Sequence, residues 1–239
     1  MISIIIPTLN EESVIGDTII KIRSKLTLPH EIIVSDGHST DNTVAIAQQH
    51  ADKVIAHDGS FRQTIAQGRN AGAQAATGEF LVFLDADCFI QDPDVFFTQA
   101  LGRFREKNLV AYTTNIMVAP EFATRTDNIM MPLTNLSCRL QTNVFKNGAA
   151  RGEFQMMKRE TFEQLGGYQA HLVVGEDIDM YNRLSKAGAI WFDPELVVYD
   201  RGRRAHKIGW LRLIWLWTVN GLSVMVRGKS HSKEWTVVR

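Results

Sequence analysis

"FLVFLDADCFI", Phe80 to Ile90, sets an apolar run, Phe80 to Leu84, directly before two carboxylates, Asp85 and Asp87, with one residue between them. A short apolar run closed by polar residues reads as a fully buried strand. Charge in an apolar surrounding is costly unless it is paired. Acids at the end of such a strand therefore call for an arginine, a helix N-terminus or a metal ion.

Working outward, the same pattern recurs. ISIIIP (Ile2 to Pro7), EIIVSDG (Glu31 to Gly37) and KVIAHD (Lys53 to Asp58) are three more buried strands. Between them lie helical stretches: one capped by Asn10 and running to Leu26, the Ala-rich segment after Ser39-Thr40-Asp41, and Arg62 to Ala76. Regular alternation of strand and helix predicts an α/β fold, a mostly parallel sheet flanked by helices. The second half is less regular. Helices are expected over Pro93 to Glu106, Arg125 to Val144 and Glu176 to Lys186. Strands are expected at Val110 to Val118, Phe154 to Arg159, Ala189 to Phe192 and Leu196 to Asp200. This divides the chain into one domain over 1–200 and an appendage over 201–239.

The composition is that of an ordinary globular protein, with 45% hydrophobic and 22% charged residues among 239. Cys88 and Cys138 make no disulfide framework. MISIIIPTLNEE has no basic leader region and too short an apolar run for a signal peptide. Net charge is zero but unevenly spread: residues 201–239 hold nine Lys/Arg and one acid, +8, and residues 1–200 hold 17 basic and 25 acidic residues, −8. The tail also holds Trp210, Trp215, Trp217 and Trp235, four of the five tryptophans. An acidic body with a basic, Trp-rich tail suggests an anionic surface as the tail's partner.

In an open parallel sheet the ligand sits beyond the carboxyl ends of the strands. Those ends read Pro7-Thr8-Leu9-Asn10, Ser35-Asp36-Gly37, His57-Asp58-Gly59 and Asp85-Ala86-Asp87, three of the four acidic. Asp85 and Asp87 can cap the next helix, share one divalent cation, or divide sugar and metal between them. Asp36 goes beyond what capping needs and suits a base N–H or a ribose hydroxyl. Arg69 is either a solvated arginine or a partner for a carboxylate. Gly175-Glu176-Asp177-Ile178-Asp179 opens a helix with more acid than the dipole requires, so one of the three suits a general base on a hydroxyl.

In order and spacing these segments resemble family 2 glycosyltransferases of the GT-A fold, from Met1 to about Asp200. "SIIIPTLNEE" is similar to the opening strand and loop. "VSDGHSTDNT" is similar to an Asp-Gly-Ser-Thr-Asp segment, with His38 as a departure. "GRNAGAQAATGEFLVFLDAD" leads into an Asp-x-Asp motif, and "EFQMMKRETFEQLGGY" with "GEDIDMYNRLSKAG" resembles the acceptor-side strand and base motif. The resemblance implies a GT-A-type, Rossmann-like sheet and inverting transfer from a UDP- or GDP-sugar. By it Pro7, Thr8, Glu11, Asp36 and Arg69 line the nucleotide pocket, Asp85 contacts the nucleotide sugar, and Asp87 ligates Mn²⁺ or Mg²⁺. Asp177 is then the base, with Glu176 and Asp179 as neighbouring alternatives. His206 falls where some GT-A enzymes place a further metal ligand; a satisfied or solvated histidine is the competing reading.

Two other functions fit parts of the pattern. A sugar nucleotidyltransferase needs a Gly-rich N-terminal loop for triphosphate, which PTLNEE lacks. A non-catalytic nucleotide-sugar-binding module would not need the Asp177 acids. No nucleic-acid partner is expected. Ile208 to Val226 is about as long as a membrane span, but Arg212 and Asn220 interrupt it. Gly209, Arg212, Asn220 and Ser223 share one side of a helical wheel, which describes an amphipathic helix with basic flanks. Packing on the domain, or on a second subunit in a homodimer, is the alternative. The expected location is cytoplasmic, or peripheral on the inner face of the plasma membrane, with a lipid-linked acceptor compatible with the latter.

Overall fold

The computed structural model describes residues 1–59 and 61–234; Trp235 lies outside them. A seven-stranded sheet runs in the order β3-β2-β1-β4-β6-β5-β7. Its first half comprises β1 (Ile2–Thr8), β2 (His30–Asp36), β3 (Lys53–Ala56) and β4 (Phe80–Leu84), all parallel. β6 (Phe154–Lys158) then runs antiparallel between β4 and β5 (Leu109–Val118), and β7 (Ala189–Asp200) lies parallel to β5 on the edge.

β1, β2 and β4 are buried on both faces, which explains their unbroken apolar runs; β3, expected as a buried strand, is the edge of the sheet and only half-buried, with Ala56 exposed. Ile4, Ile6, Val82 and Leu84 pack with α1 (Ile15–Lys25) and α4 (Pro93–Lys107) on one side. Ile5, Ile33, Leu81 and Phe83 pack with α3 (Ile65–Gln74) and α7 (Glu176–Ala187) on the other. α3 approaches closely because of Gly72: a Cβ there would come within 2.4 Å of Ile5 Cγ2.

Several boundaries differ from expectation. Asn10 does not cap α1, which starts at Ile15. It adopts φ 56°, and its side chain accepts from the Thr40 N–H at 2.8 Å, lacing the β1 and β2 loops together. α2 (Thr43–His50) follows that lacing. α3 starts at Ile65, after a reciprocal capping box between Thr64 and Gln67. The two strands expected near 189–200 are one, β7. Its register with β5 slips where Thr114 pairs with Asp193 and Asn115 with Val197, accommodating Pro194, which has no N–H to offer. The helix expected over 125–144 is α5 (Arg125–Arg139), continued by a π-helical turn, Leu140–Val144. α6 (Arg159–Gln164) follows β6.

The tail forms α8 (Arg203–Ile208) and α9 (Trp210–Arg227), broken at Gly209 with φ 81°. It is built into the body. Trp210 and Leu213 share a core with Met131 and Val118, and Gly221 abuts Ile178 of α7. Among the described residues no helix is long and apolar enough to cross a membrane.

Candidate active site

The carboxyl ends of β1, β2 and β4 open on a cavity of about 740 Å³, which extends between α5 and α9. Thr8, Glu11, Asp85, Asp87, Asp177, Asp200 and Arg203 are among its lining residues. The strand register places Thr8 beside Asp36, so the two loops carrying the N-terminal motifs share one edge.

Arg69 organises the acids. It is 1% exposed, and its guanidinium donates to Glu176 Oε1 at 2.9 Å and to the Gly152 carbonyl at 2.7 Å, with Asp85 Oδ1 at 3.4 Å. Burial opposes the charge on Arg69, but Tyr168, Glu176 and Asp85 outweigh it and raise its pKa. An arginine pinned between two carboxylates cannot leave with a ligand, and it fixes their spacing. The strand-end acid and the helix-start acid, 91 positions apart in the chain, thus share one cation.

The three acids at the start of α7 separate by environment. Glu176 faces Arg69, and burial raises its pKa against that pull. Asp179 turns to Arg183 at 2.7 Å and is not among the cavity-lining residues. Asp177 lines the cavity, and its Oδ1 accepts the Ile178 N–H at 2.8 Å. Burial, then the negative charge of Glu176, push Asp177 up to about 7. Asp85 is likewise pushed up to about 7, by burial against the pull of Arg69. Its side chain keeps 37% of its surface, so water softens that shift.

Asp87 is met by Arg203 from α8. Arg203 Nε lies 2.7 Å from Asp87 Oδ2, and its other nitrogens reach Glu11 at 3.0 and 3.2 Å. Asp85 and Asp87 offer the hard oxygens that Mg²⁺ or Mn²⁺ takes. Among the described residues no group of three or more His, Cys, Asp or Glu side chains is placed to hold an ion. The donor set fits an ion bound through one or two carboxylates that brings substrate phosphates as its other ligands. His206 does not join this set. Its Nε2 pairs with Asp127 Oδ2 at 2.7 Å, and Asp127 also accepts Trp210 Nε1–H at 2.7 Å, tying α5 to α8 and α9.

Pro7 and Thr8 line the cavity, but Asp36 lies behind the wall. Its oxygens accept from Thr8 Oγ1, Ser39 Oγ, and the N–H groups of His38 and Ser39. Ser35 and Gln63 are among the residues that do face the cavity there. Ser35 Oγ and Gln63 Oε1 are buried and make no hydrogen bond among the described residues. The sequence pattern marks Ser35 only as part of the β2 strand end and does not single out Gln63. Arg203, Glu153 and Asp200 were also missed. Asp200 is pushed up to about 7 by burial and by Glu153.

Residues 3–166 match the family described as Glycosyl transferase family 2. The chain belongs to this family. Among its relatives, the succinoglycan biosynthesis protein ExoA of Rhizobium meliloti is 30% identical over 214 residues, covering 84% of this chain and 63% of that protein. The O-antigen chain rhamnosyltransferase WbaN of Salmonella anatum is 26% identical, over 67% of this chain and 52% of that protein. The chain thus spans under two thirds of the length of either. Among solved structures, a mannosyltransferase from Pyrobaculum calidifontis, in complex with GDP-Man and Mn²⁺, superposes with a TM-score of 0.66 at 21% identity, covering 92% of this chain and 61% of that one. Glucosyl-3-phosphoglycerate synthase of Mycobacterium tuberculosis, with Mn²⁺, UDP and glucosyl-3-phosphoglycerate, gives 0.62 at 21% identity, covering 95% and 78%. The family 2 chain described here has the fold of these enzymes: a GT-A α/β core with a C-terminal helical region.

Proposed function

We propose that the protein transfers a sugar from a UDP- or GDP-sugar to an acceptor hydroxyl with inversion. The observation that carries this reading is the Arg69-centred array: Arg69 holds Asp85 and Glu176 together, and Asp177 stands beside them in the same cavity. Related folds bind GDP-Man or UDP with Mn²⁺, which supports a nucleotide-sugar donor and a divalent cation here. The loops around Pro7, Thr8, Ser35 and Gln63 hold the nucleoside. Asp85 orients the donor sugar, and Asp87 holds the cation. When bound, that cation offsets charge on the departing diphosphate. Asp177 takes the acceptor proton, and Glu176, occupied by Arg69, keeps Asp177's affinity for that proton high. The test is product analysis: nucleoside diphosphate released in step with acceptor glycosylation supports the reading, and pyrophosphate release from a nucleoside triphosphate overturns it.

Asp36→Ala is expected to weaken nucleoside diphosphate binding by about tenfold or more. It removes the acceptor for four donors and lets the β2 loop lose its shape. Calorimetry with UDP and GDP reads this directly; unchanged affinity for both would remove Asp36 from the donor site.

α9 exposes Leu211, Trp215, Leu222, Met225 and Val226, and exposed Lys207, Arg212, Arg227 and Lys229 lie on it or flank it. An apolar face with basic flanks suits the interface of an anionic bilayer, so 208–226 is assigned a peripheral membrane contact. The protein is expected to sediment with vesicles of 30% phosphatidylglycerol at low salt and to be released by high salt. Retention in the supernatant at low salt counts against the contact.

A further inference from the structure

α5 is inside out. Its buried residues are Asp127, Met131 and Asn135, whereas Ile129, Leu133, Leu136, Leu140 and Val144, along this helix and its π-helical extension, are all exposed. Their spacing of three and four residues is the stripe a helix ordinarily turns to a core. The inversion has a cause. β6 pairs with β5 only at Ala111 and Tyr112; further along, Asn135 takes the N–H and C=O of Ile116, at 3.1 and 2.9 Å. α9 buries apolar Trp210, Leu213 and Val224, yet it too keeps a polar residue inside and apolar residues outside. Asn220 is 1% exposed, with its Oδ1 accepting from His231 and Ser232, while Leu211, Leu222 and Met225 face out.

These two helices flank the cavity that contains Asp177. Leu133 of α5 and Leu222 and Met225 of α9 line it and are also solvent-exposed, so they mark its mouth. Met130, Ile214 and Trp217 continue the apolar lining inward, and Trp217 lies over the Arg151 guanidinium at 5.4 Å. An apolar passage thus runs from solvent to the acids.

We propose that the cleft between α5 and α9 binds the hydrocarbon chain of an amphiphilic acceptor, whose hydroxyl-bearing head reaches Asp177. The continuity of passage and site selects this occupant, since whatever fills the mouth must leave room for the reacting hydroxyl. The charge exposed on and beside α5 and α9 argues against a second copy of the chain. Exposed Arg125, Arg139, Lys146, Arg212 and Arg227 would face their own kind across a twofold interface. The acceptor's identity rests on the glycosyltransferase reading; binding of the chain does not.

The test uses the full chain with 11-(dansylamino)undecanoic acid below its micelle concentration, displaced by alkyl β-glucosides. Saturable binding is expected, with each two added methylenes of the displacing glucoside tightening it roughly tenfold until the cleft is full. Methyl β-glucoside should not displace. Leu133→Gln and Leu222→Gln together should weaken probe binding at least tenfold and leave UDP and GDP affinity unchanged by calorimetry. Leu211→Gln, outside the cleft, should leave probe binding unchanged. Probe binding that survives the double substitution, or is lost equally in Leu211→Gln, overturns the proposal. So does a dimer in analytical ultracentrifugation that the double substitution dissociates. If nucleoside diphosphate fails to bind while the chain series behaves as stated, the transferase reading fails and the cleft stands.

Discussion

Asp177→Asn is expected to lower turnover by about 10²–10⁴-fold, the range a general base contributes, while leaving nucleoside diphosphate affinity unchanged. It should also stabilise the protein above neutral pH. In the folded state the Asp177 carboxyl lies at about 7, above its usual 3.8, because burial and the neighbouring Glu176 disfavour its charge. The native state therefore holds a proton that the unfolded state has released. On this account stability is full below about 4 and is lost as pH rises through about 7. Asparagine removes that loss. At pH 8 each kcal/mol relieved raises Tm by about 2–4 °C in a chain of this size. With Asp177 as the proposed base, the same shift would set the acid limb of activity: wild-type kcat/KM should rise with pH through an apparent pKa near 7. A variant that loses activity and Tm together would be merely misfolded. A variant that keeps the wild-type rate would move the base to Glu176, whose bond to Arg69 makes it the poorer candidate.

The parallel half of the fold was legible because its signals are local. β1, β2 and β4 are β-branched or aromatic runs, each ending at a polar turn, and their buried faces leave no ambiguity of period. The place of β6 between β4 and β5 was not legible. It is an antiparallel pairing between segments far apart in the chain, and FQMMK carries no mark of direction. Pro194 in β7 reads as a break, yet the strand absorbs it by slipping register. Asp85, Asp87, Glu176 and Asp177 were visible as motifs, since a carboxylate at a strand end or a run of acids opening a helix is unusual enough to notice; Glu153 and Asp200 were not. Of the counter-charges in the site, Arg69 was readable as a partner for a carboxylate, and Arg203 was not. Arg203 reads as one of a run of basic residues, and nothing local says that it reaches Asp87, 116 positions earlier. Asn220 misled more actively. A wheel places it on the polar side of α9, but the backbone N–H groups of His231 and Ser232 satisfy it in the interior, where α9 also buries Trp210, Leu213 and Val224, while Leu211, Leu222 and Met225 turn out.

Asp87→Asn is expected to abolish Mn²⁺-dependent nucleoside diphosphate binding and to reduce transfer by about 10³-fold or more. An amide keeps one oxygen donor but no charge, and a hard divalent ion prefers carboxylate and phosphate oxygens. Arg203 makes this prediction sharper. Its guanidinium pairs with Asp87 and Glu11, so an ion bound at Asp87 as proposed would compete with an internal cation. Arg203→Ala should accordingly tighten Mn²⁺ binding to the nucleotide-free protein, several-fold by calorimetry or by the Mn²⁺ paramagnetic resonance signal. Were an ion to occupy Asp87, Arg203 would be free to meet the diphosphate, so the same substitution should weaken nucleoside diphosphate binding in the presence of Mn²⁺. Opposite signs for the two affinities are the signature of an arginine that exchanges a carboxylate for a phosphate. If Arg203→Ala weakens both equally, the guanidinium only braces the loop. If it changes neither while Asp87→Asn still abolishes binding, Asp87 acts on the ion alone.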